Sequence, residues 1–175
     1  MKVGILGAGP SGSFLAHLFS QEGHQVTVFE KARGVGGRCT TKRLSNSKEG
    51  LSTGAQFFTT REPALEPYWE DLRKKELIQK FRSPFYYFHE ETKHQERAHE
   101  KDRYHGSPSM NEFIKYWLKD SEVQLSSTIT RVQKETRGWA LFSKEGLSWE
   151  GLDLCVFSMP LEQGQKICND SGLYL

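Results

Sequence analysis

The hydrophobic pattern of the first thirty residues changes period twice. Val3 to Leu6 is a short apolar run of the kind a buried parallel strand uses. It leads directly into Gly7-Ala8-Gly9-Pro10-Ser11-Gly12, a turn. Phe14, Leu15, Leu18 and Phe19 then recur at helical spacing, and Gly23 stands where a helix C-cap is favoured. Gln25 to Phe29 reads as a second strand, ending at Glu30. This order predicts a βαβ unit, in which right-handed crossover makes the two strands parallel neighbours.

Further along, a loop rich in Gly and Arg is expected over residues 31–54. A helix is predicted over 62–81, with Leu65, Trp69 and Leu72 on one face, and a strand over Phe85 to Phe88. Residues 89–105 are almost all charged or polar and read as a solvated hairpin or loop. Ser109 and Glu112 form a capping-box pattern ahead of an apolar stripe of Met110, Phe113, Ile114, Trp117 and Leu118. Short strands follow near Val123–Leu125, Thr128–Val132, Trp139–Phe142 and Leu147–Trp149, with turns at Gly138 and Gly146. Leu152 to Phe157 is a buried-type strand stopped by Pro160, and no element is assigned after it.

Composition narrows the class. A chain of 175 residues fits one domain, or one domain with a modest second lobe. With 24 Lys+Arg against 22 Asp+Glu, the net charge of +2 gives no reason to expect nucleic acid or an anionic membrane as partner. The apolar fraction is only 36%, yet 12% aromatic residues can still build a core, which argues against disorder of the whole chain. Cys39, Cys155 and Cys168 are scattered and form no Cys-x-x-Cys, pointing to a reducing compartment and no disulfide framework. Glycines and Pro10 break the N-terminal apolar run before it reaches signal-peptide length, and no stretch is long enough to cross a bilayer. The expectation is a soluble, cytoplasmic protein.

The candidate chemistry begins at Gly7-x-Gly9-x-x-Gly12, placed between a strand and a helix as a dinucleotide fingerprint requires. Gly7 permits the tight turn, Gly9 lets backbone approach a pyrophosphate, and Gly12 lets helix and strand pack closely. The helix N-terminus beginning at Pro10 offers free N–H groups to phosphates, and Ser11 can add a hydroxyl. Glu30, 18 residues after Gly12, can accept hydrogen bonds from a ribose diol. Its carboxylate disfavours a ribose 2′-phosphate, an inference that Lys31 and Arg33 soften. These residues alone leave NAD and FAD open. The following Gly34-Val35-Gly36-Gly37-Arg38 favours FAD, because glycines let the chain pass against a ligand and Arg38 offers a fork for a diphosphate.

With Glu30-Lys31 and Arg33-Gly34-Val35-Gly36-Gly37-Arg38, the sequence resembles the flavin amine oxidase superfamily. Thr53-Gly54-Ala55-Gln56-Phe57-Phe58-Thr59 narrows the resemblance to the renalase-like branch. Tyr104-His105-Gly106-Ser107-Pro108-Ser109-Met110 and the segment from Asp153 to Pro160 match that branch in kind and order. The resemblance implies an α/β fold: a Rossmann-like FAD-binding domain with a parallel sheet, a β-meander, and part of an inserted α+β substrate domain. It assigns 1–60 and 105–175 to the FAD domain and 61–104 to the insertion. It implies that Ser11 and Arg38 meet the pyrophosphate and that Glu30 and Lys31 meet the adenosine end, with Gly7, Gly9, Pro10, Gly12 and Gly37 also among the cofactor-binding residues. Gly54, Ala55, Gln56, Phe57 and Phe58 would run beside the flavin ring, and the backbone of Val123 would read adenine. The implied activity is oxidation of a reduced small molecule, such as a reduced nicotinamide dinucleotide or an amine, with no protein nucleophile. No catalytic acid or base is nominated.

Family members are longer than this chain and close a final segment over the flavin. The expectation is therefore a shortened protein that binds FAD weakly, turns over poorly and is prone to self-association. The alternative is a non-catalytic dinucleotide-binding fragment or interaction module. Other constellations receive plainer readings. His89, His94, His99 and His105 match no metal-ligand spacing, Phe85 to Phe88 reads as a core or pocket strand, and Cys39 and His17 read as packing residues.

Overall fold

The computed structural model describes residues 1–43, 50–82, 85–87, 95–97 and 102–173. In chain order they form β1 (Lys2–Leu6), α1 (Pro10–Gln21), β2 (Gln25–Phe29), β3 (Thr41–Arg43), β4 (Gly50–Ser52), α2 (Glu66–Lys74), β5 (Ile78–Lys80), β6 (Phe85–Tyr87) and β7 (Gln95–Arg97). There follow β8 (Tyr104–Gly106), α3 (Glu112–Trp117), β9 (Glu122–Gln124), β10 (Ile129–Glu135), β11 (Gly138–Ser143), β12 (Ser148–Leu152), β13 (Leu154–Phe157) and α4 (Leu161–Asp170). The predicted βαβ start is present, with β1 and β2 parallel and in register from Lys2↔Gln25 to Leu6↔Phe29.

The central sheet is parallel, in the order β13-β1-β2-β9. This is the arrangement of a Rossmann-like fold, with the strand order reversing on either side of β1. Alternation along the strands divides the core into two layers. Val3, Ile5, Val26 and Val28 face Ala16 of α1 and Phe113, Ile114 and Trp117 of α3. Leu6 and Phe29 face the opposite way, onto Val132, Leu141 and Leu152 of the antiparallel β10-β11-β12 meander. Gly4 also lies on that second face, where a Cβ would come within 2.8 Å of the Leu152 side chain. The α/β class and the meander are thus as the sequence predicts, with further small antiparallel pairs β3-β4, β5-β8 and β6-β7.

Five elements differ from expectation. The helix predicted over 62–81 is a 3-10 turn at Pro63–Leu65 followed by the shorter α2, and the chain then becomes β5. A Schellman closure stops the helix: Glu76 takes a left-handed φ of 57°, its amide bonds Arg73 O, and the Leu77 amide bonds Leu72 O. Glycine usually fills that position, so a glutamate there hides the stop. The loop expected over 31–54 contains a 3-10 turn at Gly37–Cys39 and the β3-β4 pair. Helix α3 begins at Glu112 with Asn111 at its N-cap, so Ser109 is not the cap its pattern predicts; its hydroxyl donates to the Glu112 carboxylate (2.8 Å). Finally, Leu152 to Phe157 is two strands meeting at Asp153. The Asp153 amide donates to Lys2 O (2.8 Å) and its carboxylate accepts from the Lys2 amide (2.7 Å), which pins the start of β13 beside β1. The missed helix, α4, packs on β10 and closes through Gly172 at φ 71°.

Cys39 is buried, and burial raises its thiol pKa despite the neighbouring Arg38. His17 is buried on α1 between the rings of Tyr68 and Tyr116, with no hydrogen-bond partner for Nδ1 among the described residues. Phe88, His89, His94 and His99 lie outside the described residues. His105 bonds the Gly106 carbonyl at 2.9 Å. Leu72 and Ile78, from the predicted insertion, are buried in the same cluster as the α1 and α3 residues.

Two outcomes follow from this packing. Leu141→Ala removes a fully buried side chain between sheet and meander, and should lower the unfolding free energy by about 2–5 kcal/mol. Urea denaturation measures it, and a loss near zero would separate the meander from the cooperative core. Burial, with Lys119 next in effect, lowers the His17 pKa below its ordinary 6.5. The unfolded chain therefore takes up the proton first, so this contribution is complete above pH 6.5 and is lost as pH falls toward the folded-state value. Thermal melts of His17→Leu should show a flatter pH dependence below 6.5 than the parent chain.

Candidate functional site: a nucleotide cleft at the crest of the sheet

Residue after residue, the first glycine turn is held by the protein's own framework on one side and left open on the other. The Gly7 amide donates to Phe29 O (2.8 Å), and the Ala8 amide donates to Glu30 Oε2 (2.9 Å). Gly7 has φ 111°, a region that favours glycine. Gly12 packs against the turn so closely that a Cβ would lie 2.0 Å from Gly7 O. Pro10 begins α1, Gly9 is its N-cap, and no side chain caps this end. Among the described residues, no hydrogen bond uses the amides of Gly9, Ser11 or Gly12. Such an uncapped N-terminus presents unsatisfied donors and the positive end of the helix dipole.

The second turn is joined to the first. The Gly36 amide donates to Ala8 O (2.9 Å), and a Cβ on Gly37, whose φ is 51°, would stand 3.1 Å from the Gly9 Cα. From the other side, Asn111 Nδ2 donates to Val35 O at 3.1 Å, tying the turn to the start of α3. The two bends therefore meet above β1, at the C-terminal edge of the sheet, where ligands of open α/β sheets bind. A cleft of about 680 Å³ opens there, lined by Gly7, Gly9, Pro10, Ser11, Glu30, Lys31, Gly37 and Arg38 among others. Arg38 makes no ion pair among the described residues.

Glu30 is 8% exposed and does more than face the cleft. Its two carboxylate oxygens accept the amides of Ala8 and Ala32, both at 2.9 Å, so it fastens β2 to the glycine turn. Each oxygen keeps lone pairs for a further donor. Lys31 reaches across to Gln163 of α4, with Nζ donating to Oε1 at 3.1 Å.

Gly54, Ala55, Gln56, Phe57, Phe58 and Val123 do not line this cleft. The Ala55 amide donates to Arg38 O (2.7 Å), and a Cβ on Gly54 would lie 2.0 Å from that same oxygen. This stretch therefore buttresses the arginine turn from behind. Phe58 packs against Trp69, Tyr104 and Phe113, and Phe57 lies beside Phe81 and under the Arg103 guanidinium. Val123 sits on β9, paired with Val28. The cleft extends instead to Ser127, Thr128, Ile129 and Thr130, and to Ser158, Met159 and α4. The α4 contribution had a signal: Pro160 ahead of it, Gly164, Ile167 and Cys168 on one face, and Gly172 past its end. The serine-threonine run at 127–130 carried none beyond its polarity.

Residues 5–72 match the family model described as an NAD(P)-binding Rossmann-like domain. Over 130 residues, 72% of the chain, it is 34% identical to an L-amino acid oxidase of Bothrops pictus, covering 24% of that protein. Over 38 residues, 22% of the chain, it is 47% identical to a 4,4'-diapophytoene desaturase of Staphylococcus aureus, covering 8% of that protein. The chain thus spans a quarter or less of these relatives' length. Among solved structures, an oxidoreductase of Methanosarcina mazei aligns over 97% of this chain and 61% of its own, with TM-score 0.69 and 13% identity. A Pyrococcus furiosus protein aligns over 95% of this chain and 61% of its own, with TM-score 0.65 and 11% identity. The fold and the joined turns are those of a Rossmann-like domain, in keeping with the family match over residues 5–72.

Gly12→Ala should test the turn directly. With 2.0 Å between the new Cβ and Gly7 O, helix and turn must separate, and dinucleotide affinity should fall at least about tenfold while far-UV circular dichroism stays near that of the parent. Unchanged affinity would show that the turn does not hold the ligand.

Proposed function

We propose that this chain carries the cofactor-binding part of an FAD-dependent oxidoreductase of renalase-like type, which oxidises a reduced small molecule. One observation carries the reading: two glycine turns from different strand ends touch, and they present the open α1 amides and the Arg38 side chain to one cleft. A nicotinamide nucleotide needs only the first turn. The second, with its arginine, suits a diphosphate gripped from both sides. The similarity to L-amino acid oxidase and to the desaturase supports the flavin assignment.

The donor set fits the adenosine diphosphate half of such a cofactor. Gly9, Ser11, Gly12 and Arg38 would hold the diphosphate, Glu30 the ribose, and Lys31 the adenosine end. Bound FAD supplies the two-electron chemistry. The chain's own residues bind it, orient it and fix the turns around it. Residues 61–104 are proposed as the beginning of a substrate-facing insertion, and Gly54 to Phe58 as support for the arginine turn near the flavin. The proposed partner is a small reduced molecule, such as a reduced nicotinamide dinucleotide or an amine, and a reducing, cytoplasmic setting is proposed with it. Among the described residues, no helix is long and apolar enough to cross a membrane.

Side-by-side titration of FAD and NAD, followed by flavin fluorescence and calorimetry, tests the reading. FAD should bind the more tightly, and Arg38→Ala should weaken it by about 1–3 kcal/mol through loss of a charge-assisted phosphate contact. Preference for NAD would reassign the cleft, and an unaltered FAD affinity in Arg38→Ala would remove the arginine from the site.

A further inference from the structure

The Gly7–Ala8 peptide is held at both ends by side chains. At one end, Glu30 accepts the Ala8 N–H (2.9 Å). At the other, Ser158, the residue that follows β13, donates its hydroxyl to Gly7 O (2.9 Å) and shares it with Leu6 O (3.0 Å). The Ser158 amide also donates to Leu6 O at 3.0 Å, which keeps the side chain in place. Among the described residues, no other donor reaches Gly7 O. The same hydroxyl borders both ends of the turn, because a Cβ on Gly7 would lie 2.8 Å from Ser158 Oγ and one on Gly12 would lie 2.5 Å from it.

Peptide planarity makes Gly7 O and the Ala8 N–H one rigid unit, held by Ser158 at one end and Glu30 at the other. The adjoining peptide is restrained by a bond of its own, in which Ala8 O accepts from the Gly36 amide at 2.9 Å. In a trans peptide the Gly9 N–H then points the opposite way from that carbonyl. The direction of the first open amide is thereby set, and the backbone of the second turn is set with it.

We infer that Ser158 is a positioning residue for the diphosphate of the bound dinucleotide: it orients the glycine turn without being the group that holds the cofactor's charge. This rests on the dinucleotide reading of the cleft. It predicts a loss confined to ligands that carry phosphate, because the ribose and base are met by other residues.

The test uses the full chain with ADP and adenosine as paired ligands, titrated by NMR or calorimetry. Ser158→Ala should raise the Kd for ADP about fivefold to tenfold and leave that for adenosine within about twofold. In the ligand-free protein, hydrogen exchange at the Ala8 and Gly36 amides should accelerate, while Ile5 in β1 keeps its protection. Should the alanine variant fold poorly, Ser158→Thr retains the donor and must keep both the ADP affinity and the slow exchange of the parent. Equal weakening of ADP and adenosine, or unchanged exchange at Ala8, would overturn the assignment, as would a threonine variant that behaves as the alanine one should. Unaltered protein that binds ADP no better than adenosine would instead sink the dinucleotide reading itself, a result that no Ser158 variant can imitate.

Discussion

The contact between two glycine turns is the constraint around which this molecule is arranged. A diphosphate is compact and highly charged, and it is bound best by donors that converge without side chains in the way. Gly9 and Gly37 meet with so little space that a Cβ on Gly37 would be 3.1 Å from the Gly9 Cα. Everything that flanks them acts to keep that approach. Glu30 pulls the first turn toward β2, the Gly36 amide ties the second turn to Ala8, and Asn111 anchors the second turn to α3.

The parallel sheet determines where this can happen. Strand β1 is flanked by β2 and β13, so the loops after all three rise at the same edge. The chain after β2 supplies Glu30, Lys31 and the arginine turn, and the chain after β13 supplies Ser158 and α4. The two faces of the sheet are covered by different layers, helices on one and the meander on the other, so the edge is left as the open concave surface. Charge follows the same geography. Lys31, Arg38 and Lys166 border the cleft, with Lys166 paired to Asp170 at 3.0 Å, while the Glu30 carboxylate accepts two backbone amides.

Much of this was legible in the sequence wherever local chemistry decides the outcome. The βαβ unit follows from a strand-length apolar run, a glycine turn and a helical period, and the meander from alternation punctuated by Gly138 and Gly146. The cleft residues from Gly7 to Gly12 and from Glu30 to Arg38 were readable because their positions are fixed by backbone conformation. What could not be read depends on distant contacts. Glu76 ends α2 in a conformation normally given to glycine, so its stop looks like continuing helix. Phe58, which the resemblance puts beside a flavin ring, packs against Trp69, Tyr104 and Phe113, contacts that no local pattern announces. Glycine at position 54 does mark a close approach, but to Arg38 O of the same chain. Ser158 carries no motif and becomes informative only through its partners.

The pairing of β1 with β13 bears on how the protein is made. Ser158 and Gly7 are separated by 151 residues, and the family match over residues 5–72 ends well before that serine is translated. On the ribosome, the early βαβ unit must wait with one flank of β1 unpaired. Non-local parallel pairings of this sort form slowly and leave strand edges exposed in the meantime. Until β13 is made, β1 lacks one of its two parallel partners and Gly7 O lacks the Ser158 hydroxyl, so the glycine turn is completed only by the last strand of the sheet.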